Sequence, residues 1–110
     1  MSEKYIKDAE GFLAERDYAQ ASEKAWGAAS QIVKALAARE GRELRSHGEL
    51  HAFVSKLGEE IGDPEVRRLW QSAGMLHQNF YENWLPPGMV KENIQDIKSL
   101  IGKLRGLIQR

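Results

Sequence analysis

The chain has 110 residues, which is enough for one domain with its own hydrophobic core, so we treat residues 1–110 as a single domain. It carries 16 basic and 16 acidic side chains, which excludes the basic excess typical of proteins that wrap duplex nucleic acid but leaves a local patch or a small ligand open. It has no cysteine, no apolar run near the roughly 20 residues of a membrane span and no signal-peptide core near its start, so we expect a cytoplasmic protein without disulfides, thiol chemistry or membrane association.

The first two segments predict two helices, because their apolar residues repeat with a period near 3.6. The first helix is predicted over about residues 3–16 and the second over about 18–40. Asp17 caps the second helix, with Gln20 as its reciprocal capping-box partner. Gly41 follows the last turn, where glycine is favoured. The inward stripe of the second helix consists of small and aliphatic residues, namely Ser22, Ala25, Ala29, Ile32 and Leu36.

The next two segments also predict helices. The sequence "SHGE" at 46–49 is a capping box that starts the third helix. We expect this helix to bury Leu50, Phe53, Val54, Leu57 and Ile61. Gly62 closes it, Asp63 caps the fourth helix, and Pro64 occupies its first position. The fourth helix ends before the prolines at 86–87, and its predicted buried face contains Val66, Leu69, Trp70, Ala73, Leu76, Phe80 and Trp84.

The last segment has the most regular pattern in the chain. Its aliphatic residues alternate spacings of four and three, as in a coiled-coil seam, and comprise Val90, Ile94, Ile97, Ile101, Leu104 and Ile108. Leu100 and Leu107 widen this stripe, which favours a homodimer in addition to packing within the chain. Together the segments predict an all-α fold, an antiparallel up-and-down bundle of about five helices.

Polar residues interrupt the apolar pattern late in the fourth helix. On an ideal helix His77 lies within about 40° of aromatic residues on both sides, so it faces the core or a subunit seam. It is either a packed core histidine or a functional histidine in an apolar cleft. Asn79 and Tyr81 could line the mouth of that cleft or satisfy backbone groups at the helix end. The candidate binding cleft is therefore His77, Asn79 and Tyr81, and we predict no catalytic residue.

A second candidate site precedes the third helix in the sequence "REGRELRSH" at 39–47. Arg42, Arg45 and His47 lie near a helix N-terminus, whose free N–H groups favour an anion. Two glutamates interrupt the run, so a solvated, self-paired loop is the alternative. His47 and His51 are one turn apart and could bind a metal, but the sequence offers no third ligand. We predict no metal and no cofactor.

Several of these stretches resemble the archaeal PaREP family, which is itself similar to the wider HEPN superfamily of helical bundles. The resemblance spans nearly the whole chain and is carried by "YAQASEKAWGAASQIVKALAAREG" (18–41), "RSHGEL" (45–50), "AGMLHQNFYENWL" (73–85) and "DIKSLIGKL" (96–104). It implies a HEPN-like fold, and HEPN domains are associated with RNA cleavage, nucleotide binding and toxin–antitoxin pairs. They are often dimers, and some are thought to work with a nucleotidyltransferase-like partner.

The sequence departs from the HEPN nuclease pattern, in which an arginine precedes the histidine with four to six residues between them. If His77 matches that histidine, the arginine is expected within residues 70–72, where the sequence has "WQS". Arg67 and Arg68 are nearest on the same helix, about 15 and 13.5 Å away along its axis. Arg42–His47 and Arg45–His51 fit the spacing formally, but matches this short arise by chance.

Three functions follow as hypotheses. The first is a dimeric accessory protein without catalysis that associates with a nucleotide or RNA and works beside a nucleotidyltransferase-like protein. The second is a structural or protein-interaction module without a ligand. The third is an endoribonuclease toxin, which requires a dimer that brings Arg45 or Arg67 to His77.

Overall fold

The computed structural model describes residues 2–109, and this part of the chain forms five helices without a strand. They are α1 (Ser2–Ala14), α2 (Tyr18–Arg39), α3 (His47–Ile61), α4 (Glu65–Glu82) and α5 (Pro87–Ile108). The two longest, α2 and α5, have 22 residues each, so each is about 33 Å long. This length is close to the longest extent of the molecule, which is 38 Å. The predicted all-α bundle is confirmed.

The second helix is the centre of the bundle, because α2 packs against all four other helices. Seven of its eleven buried residues are alanines or serines, and these small side chains let neighbouring helices approach closely. The predicted inward stripe is confirmed in full, since all five of its residues are buried. By contrast, α3 lies at the edge and packs more on α4 than on its sequence neighbour α2.

The helix ends largely follow the predicted capping residues. Ser46 and Glu49 form the complete capping box at the start of α3. Asp17 accepts a hydrogen bond from the Gln20 backbone N–H at 3.2 Å. Within residues 2–109 the reciprocal bond from the Gln20 side chain is not formed, so only half of that predicted box exists. Gly41 and Gly62 both adopt the left-handed backbone conformation after their helices.

The turn between α3 and α4 is tied to α5 by a group of charges. Asp63 accepts hydrogen bonds from the Glu65 backbone N–H and from Lys103 Nζ, the latter at 2.8 Å. The hydrogen bond from Lys103 lowers the pKa of Asp63, and the bond to Asp63 raises the pKa of Lys103. A hydrogen bond from Arg68 lowers the pKa of Glu65. Since α4 begins at Glu65, the prediction that Pro64 is its first residue is wrong by one position.

Two predicted core positions are exposed. The fourth helix ends at Glu82, where Asn83 adopts a left-handed conformation with φ of 51°. Trp84 therefore lies outside the helix and is 47% exposed. Ile61 is also exposed, because it is the last residue of α3 and the covered face of that helix ends one turn earlier. Both predictions of burial were wrong.

The aliphatic stripe of α5 is used inside the bundle. Val90, Ile94, Ile97, Leu100, Ile101 and Leu104 are buried, and Leu107 and Ile108 pack against the same core. The wide face that favoured a homodimer is therefore covered within the chain. The homodimer remains a prediction, but the α5 stripe no longer supports it. Among the described residues, none of the helices is both long and apolar enough to cross a bilayer.

Candidate functional site

His77 lies half-buried between a carboxylate and an indole ring. Its side chain is 18% exposed, and its Nδ1 is 3.0 Å from Glu23 Oε1 on α2. Its ring stacks on Trp26, with ring centroids 4.6 Å apart and an angle of 23° between the planes. A neutral imidazole that donates its Nδ1 proton to Glu23 presents an unprotonated Nε2. The histidine therefore packs against side chains that hold its ring in one orientation.

A second histidine reaches the same place from the start of α3. The His47 ring centroid is 4.7 Å from that of His77, and the two planes are nearly perpendicular. His47 also meets Trp26 edge-on at 5.5 Å. On the other side, Tyr81 contacts His77 at 5.5 Å and is 70% exposed. We call Glu23, Trp26, His47, His77 and Tyr81 the histidine cluster.

The third histidine of the chain extends these aromatic contacts. Trp70 Nε1 donates a hydrogen bond of 2.8 Å to His51 Nδ1. The Trp70 ring in turn lies 5.2 Å from that of Trp26. All three histidines thus belong to one network, which the sequence analysis missed. The spacing of His47 and His51 indicated a shared helix face, but it carried no information on which helix that face meets.

Asn79 takes no part in the histidine cluster. It is fully buried, and its Oδ1 accepts hydrogen bonds from the backbone N–H groups of Trp84 and Leu85, both at 2.8 Å. Its Nδ2 donates to Ser22 Oγ at 3.0 Å. Of the two roles open from the sequence, Asn79 has the structural one, since it satisfies backbone groups beyond the end of α4. Of the predicted cleft, His77 and Tyr81 are therefore in contact with each other, and Asn79 belongs to the core.

Two of the three residues of the predicted anion site share a cavity, and the third lies elsewhere. Arg45 and His47 line a cavity of about 260 Å³ between α2 and the start of α3. We call this cavity the Ser30 pocket; its wall consists of Tyr5, Trp26, Gly27, Ser30, Gln31, Lys34, Leu44, Arg45, Ser46, His47 and Leu50. Arg42 instead lies over the Phe53 ring at 5.3 Å and lines a different cavity. The Arg45 guanidinium is 3.3 Å from Glu43 in an exposed ion pair.

The two arginines upstream of His77 on α4 are engaged elsewhere. Arg67 donates to the Ser55 carbonyl and to the Glu59 carboxylate. Arg68 pairs with Glu65 at 2.8 Å in the first turn of α4. Neither guanidinium is part of the histidine cluster, as the helix spacing predicted. Across residues 2–109, no three His, Cys, Asp or Glu side chains are arranged to hold a metal ion.

Among known proteins, the chain is similar to one family in sequence and to a solved structure in fold. The sequence model of the archaeal PaREP1/PaREP8 family matches residues 1–101. The fold is similar to the crystal structure of a protein from Sulfolobus solfataricus, with a TM-score of 0.85 and 28% sequence identity. That similarity covers 96% of this chain and 93% of the other. No curated protein matches the sequence significantly.

Proposed function

Because the chain belongs to the archaeal PaREP1/PaREP8 family, we propose that it is a HEPN-like accessory protein that binds a nucleotide or RNA without cleaving it. The histidine cluster is the binding site in this proposal. One observation carries it. His47 and His77, 30 positions apart in the sequence, are in ring contact beside the exposed Tyr81.

The cluster offers the interactions that a nucleobase uses. Base–aromatic stacking contributes about 1–3 kcal/mol per base, and Tyr81 presents an open ring for it. His77 is oriented by Glu23, so its Nε2 is held at a defined position, and in the neutral tautomer that donates its Nδ1 proton to Glu23 this atom would accept from an amino or hydroxyl group of the ligand. A base stacked on Tyr81 would therefore meet a polar atom at a defined position. This combination of one open ring and fixed polar atoms is typical of ligand sites.

The absence of cleavage in this proposal follows from the engagement of the two arginines that share α4 with His77. Cleavage of a phosphodiester builds up negative charge, which a preorganised donor must stabilise. Arg67 and Arg68 are held by Ser55, Glu59 and Glu65. The positions at 70–72, where HEPN nucleases have their arginine, carry Trp, Gln and Ser.

A second candidate function is favoured by the two histidines themselves. Two imidazoles in contact, one oriented by a carboxylate, could act as general acid and general base. An endoribonuclease of this kind would need no metal, so it would cut single-stranded RNA in the presence of a metal chelator. The His47→Ala and His77→Ala variants would each lose that cleavage, whereas the His51→Ala variant would retain it.

Binding is tested by isothermal titration calorimetry with AMP, adenosine and a short single-stranded RNA. We expect Tyr81→Ala to weaken binding of the ligand that wild type binds by about 1–3 kcal/mol. The matched control is Trp84→Ala, since Trp84 is an exposed aromatic residue outside the cluster. If wild type binds none of the three ligands, the protein-interaction module is the better description. Equal effects of the two substitutions would also contradict the proposal.

Three further parts belong to this proposal, of which the partner protein rests on the HEPN resemblance alone. We propose a cytoplasmic homodimer and a nucleotidyltransferase-like partner protein. Since the α5 stripe is covered within the chain, the dimer would use another surface. Sedimentation velocity of the purified protein tests the dimer, and a monomer at all concentrations would remove it from the proposal.

A further inference from the structure

We infer that the Ser30 pocket is a phosphate subsite that binds the terminal phosphate monoester of a nucleotide. This inference rests on the proposed function and extends it, because it assigns the charged end of the ligand to a place beside the histidine cluster. The two are continuous, since His47 and Trp26 belong both to the cluster and to the wall of the pocket. Three features of the molecule support the assignment, namely the charges of the wall, one buried hydroxyl and the start of α3.

The pocket differs from the other cavities in its charge. Its wall contains Lys34, Arg45 and His47 but no carboxylate. Four other cavities of the described chain each have at least one Asp or Glu in their walls. In a protein with equal numbers of acidic and basic residues, a cavity lined only by positive and neutral groups favours an anion.

Ser30 supplies an independent observation. This residue is 7% exposed and forms part of the pocket wall. Its Oγ is the one buried side-chain oxygen or nitrogen within residues 2–109 that has no hydrogen-bond partner. Buried polar groups are nearly always paired, so an unpaired one needs an explanation. Because this Oγ is itself covered, a change of the Ser30 rotamer would be needed to bring the hydroxyl into the pocket, where it can donate to a phosphate oxygen.

Two further groups of donors around the pocket have no partner in this part of the structure. Lys34 has no carboxylate within 4.0 Å among residues 2–109. The backbone N–H groups of His47 and Gly48 start the 15-residue helix α3, and neither donates to a described acceptor. Free N–H groups at a helix start favour a phosphate, as does the helix dipole. The Arg45–Glu43 pair is exposed, so a ligand can compete with Glu43 for the guanidinium.

The size of the pocket limits what it can enclose. Its volume of about 260 Å³ is below the about 300–1,000 Å³ usual for pockets that enclose a drug-sized ligand. It therefore suits a phosphate and part of the attached sugar, and the base would remain outside. Because His47 contacts both sites, the base of the same molecule would lie on the side of His77 and Tyr81.

Calorimetry with AMP, inorganic phosphate and adenosine tests the subsite. We expect Lys34→Ala and Arg45→Ala to weaken AMP and phosphate binding by about tenfold or more each, the effect of losing a hydrogen bond to a charged group. Adenosine binding should not change. Lys91→Ala and Arg42→Ala are the matched controls, because both residues are exposed and lie outside the pocket. Ser30→Ala should weaken AMP binding without loss of the fold.

The outcomes separate this inference from the proposed function. AMP binding that depends on Tyr81 but not on Lys34, Arg45 or Ser30 would overturn the subsite and leave the proposed function intact. Phosphate binding that depends on Lys34, in a protein that binds no nucleotide or RNA, would support the subsite and overturn the proposed function. Equal losses in Lys34→Ala and Lys91→Ala would indicate general electrostatics and overturn the subsite.

The source of the phosphate is tested with two RNA oligonucleotides that differ only at the 5′ end. Stronger binding of the 5′-phosphorylated strand, lost in Lys34→Ala, would assign the subsite to a terminal phosphate of RNA. If both strands bind equally and AMP does not bind, the phosphates within the strand are the ligand. That result would overturn the terminal-phosphate inference.

Discussion

His77 and Asn79 are two positions apart on α4 and play different parts. Asn79 is fully buried, and its amide bonds two backbone N–H groups and a serine hydroxyl. His77 is partly exposed and touches a carboxylate, an indole and a second imidazole. The comparison teaches that a polar residue within an apolar pattern is defined by its partners. Hydrogen bonds to the backbone indicate a structural role. Contacts with other side chains next to solvent are compatible with a ligand-binding role.

Among the substitutions that test this difference, Asn79→Ala should lower the free energy of unfolding most. The substitution leaves the N–H groups of Trp84 and Leu85 without their acceptor and removes a partner of Ser22. We expect the free energy of unfolding to fall by about 2–4 kcal/mol. Urea unfolding at equilibrium measures it, with the exposed Gln78→Ala as control. A loss no greater than that of the control would show that Asn79 has no structural role.

His77→Ala tests the other half of the comparison. It removes stacking on Trp26 and the bond to Glu23 at a half-buried position, so we expect a stability loss of about 1 kcal/mol, smaller than for Asn79→Ala. The same variant should lose the shift in melting temperature that AMP or RNA produces in wild type. If it unfolds as easily as Asn79→Ala and still binds the ligand, His77 is a core residue.

Two serines on α2 sharpen the same distinction with one kind of substitution. Ser22 donates to the Tyr18 carbonyl and accepts from Asn79, whereas the Ser30 hydroxyl has no partner within residues 2–109. We expect Ser22→Ala to lower the free energy of unfolding by about 1 kcal/mol and Ser30→Ala to leave it unchanged or raise it by up to about 1 kcal/mol. Thermal unfolding without ligand measures both. Equal losses in the two variants would mean that the Ser30 hydroxyl is paired.

The smallest effect is expected at the surface, where Lys103 bonds Asp63. The lowered pKa values of Asp63 and Glu65 mean that their stabilisation is present above the ordinary carboxyl range and is lost as the pH falls below about 4. The raised pKa of Lys103 means that the stabilisation it contributes is lost only above about pH 10.4. Lys103→Met should therefore lose less stability than wild type on acidification. Melting temperatures at neutral and acid pH measure this, and parallel curves would contradict it.

The sequence predicts the helices well, because their boundaries depend on local chemistry. The Ser46–Glu49 box and Gly62 act within a few residues of themselves, so their pattern is sufficient. The end of α4 is different. Trp84 fits the helical period, but the helix stops at Glu82 and Asn79 bonds the chain that follows. Because Asn79 is itself held by Ser22 on another helix, no local pattern contains that information.

The candidate site is predicted in pieces for the same reason. His77 could be identified from its helix face, and Arg45 and His47 from their place before a helix. Their convergence depends on α3 lying at the edge of the bundle, with its first residue beside α2 and α4. Periodicity describes which face of a helix is covered and not which helix covers it. The separation of Arg42 from Arg45 likewise follows from the Phe53 ring beneath Arg42.

The packing of α2 against every other helix determines how its amide protons become exposed to solvent. A segment that contacts all the others cannot open alone, so its amide protons should exchange with solvent only when the whole molecule unfolds. The edge helix α3 should exchange through smaller, more frequent openings. Trp26 and Ser30 both lie on α2, so a molecule held there would slow exchange at every amide that opens only when the whole molecule unfolds, including amides far from any atom it touches.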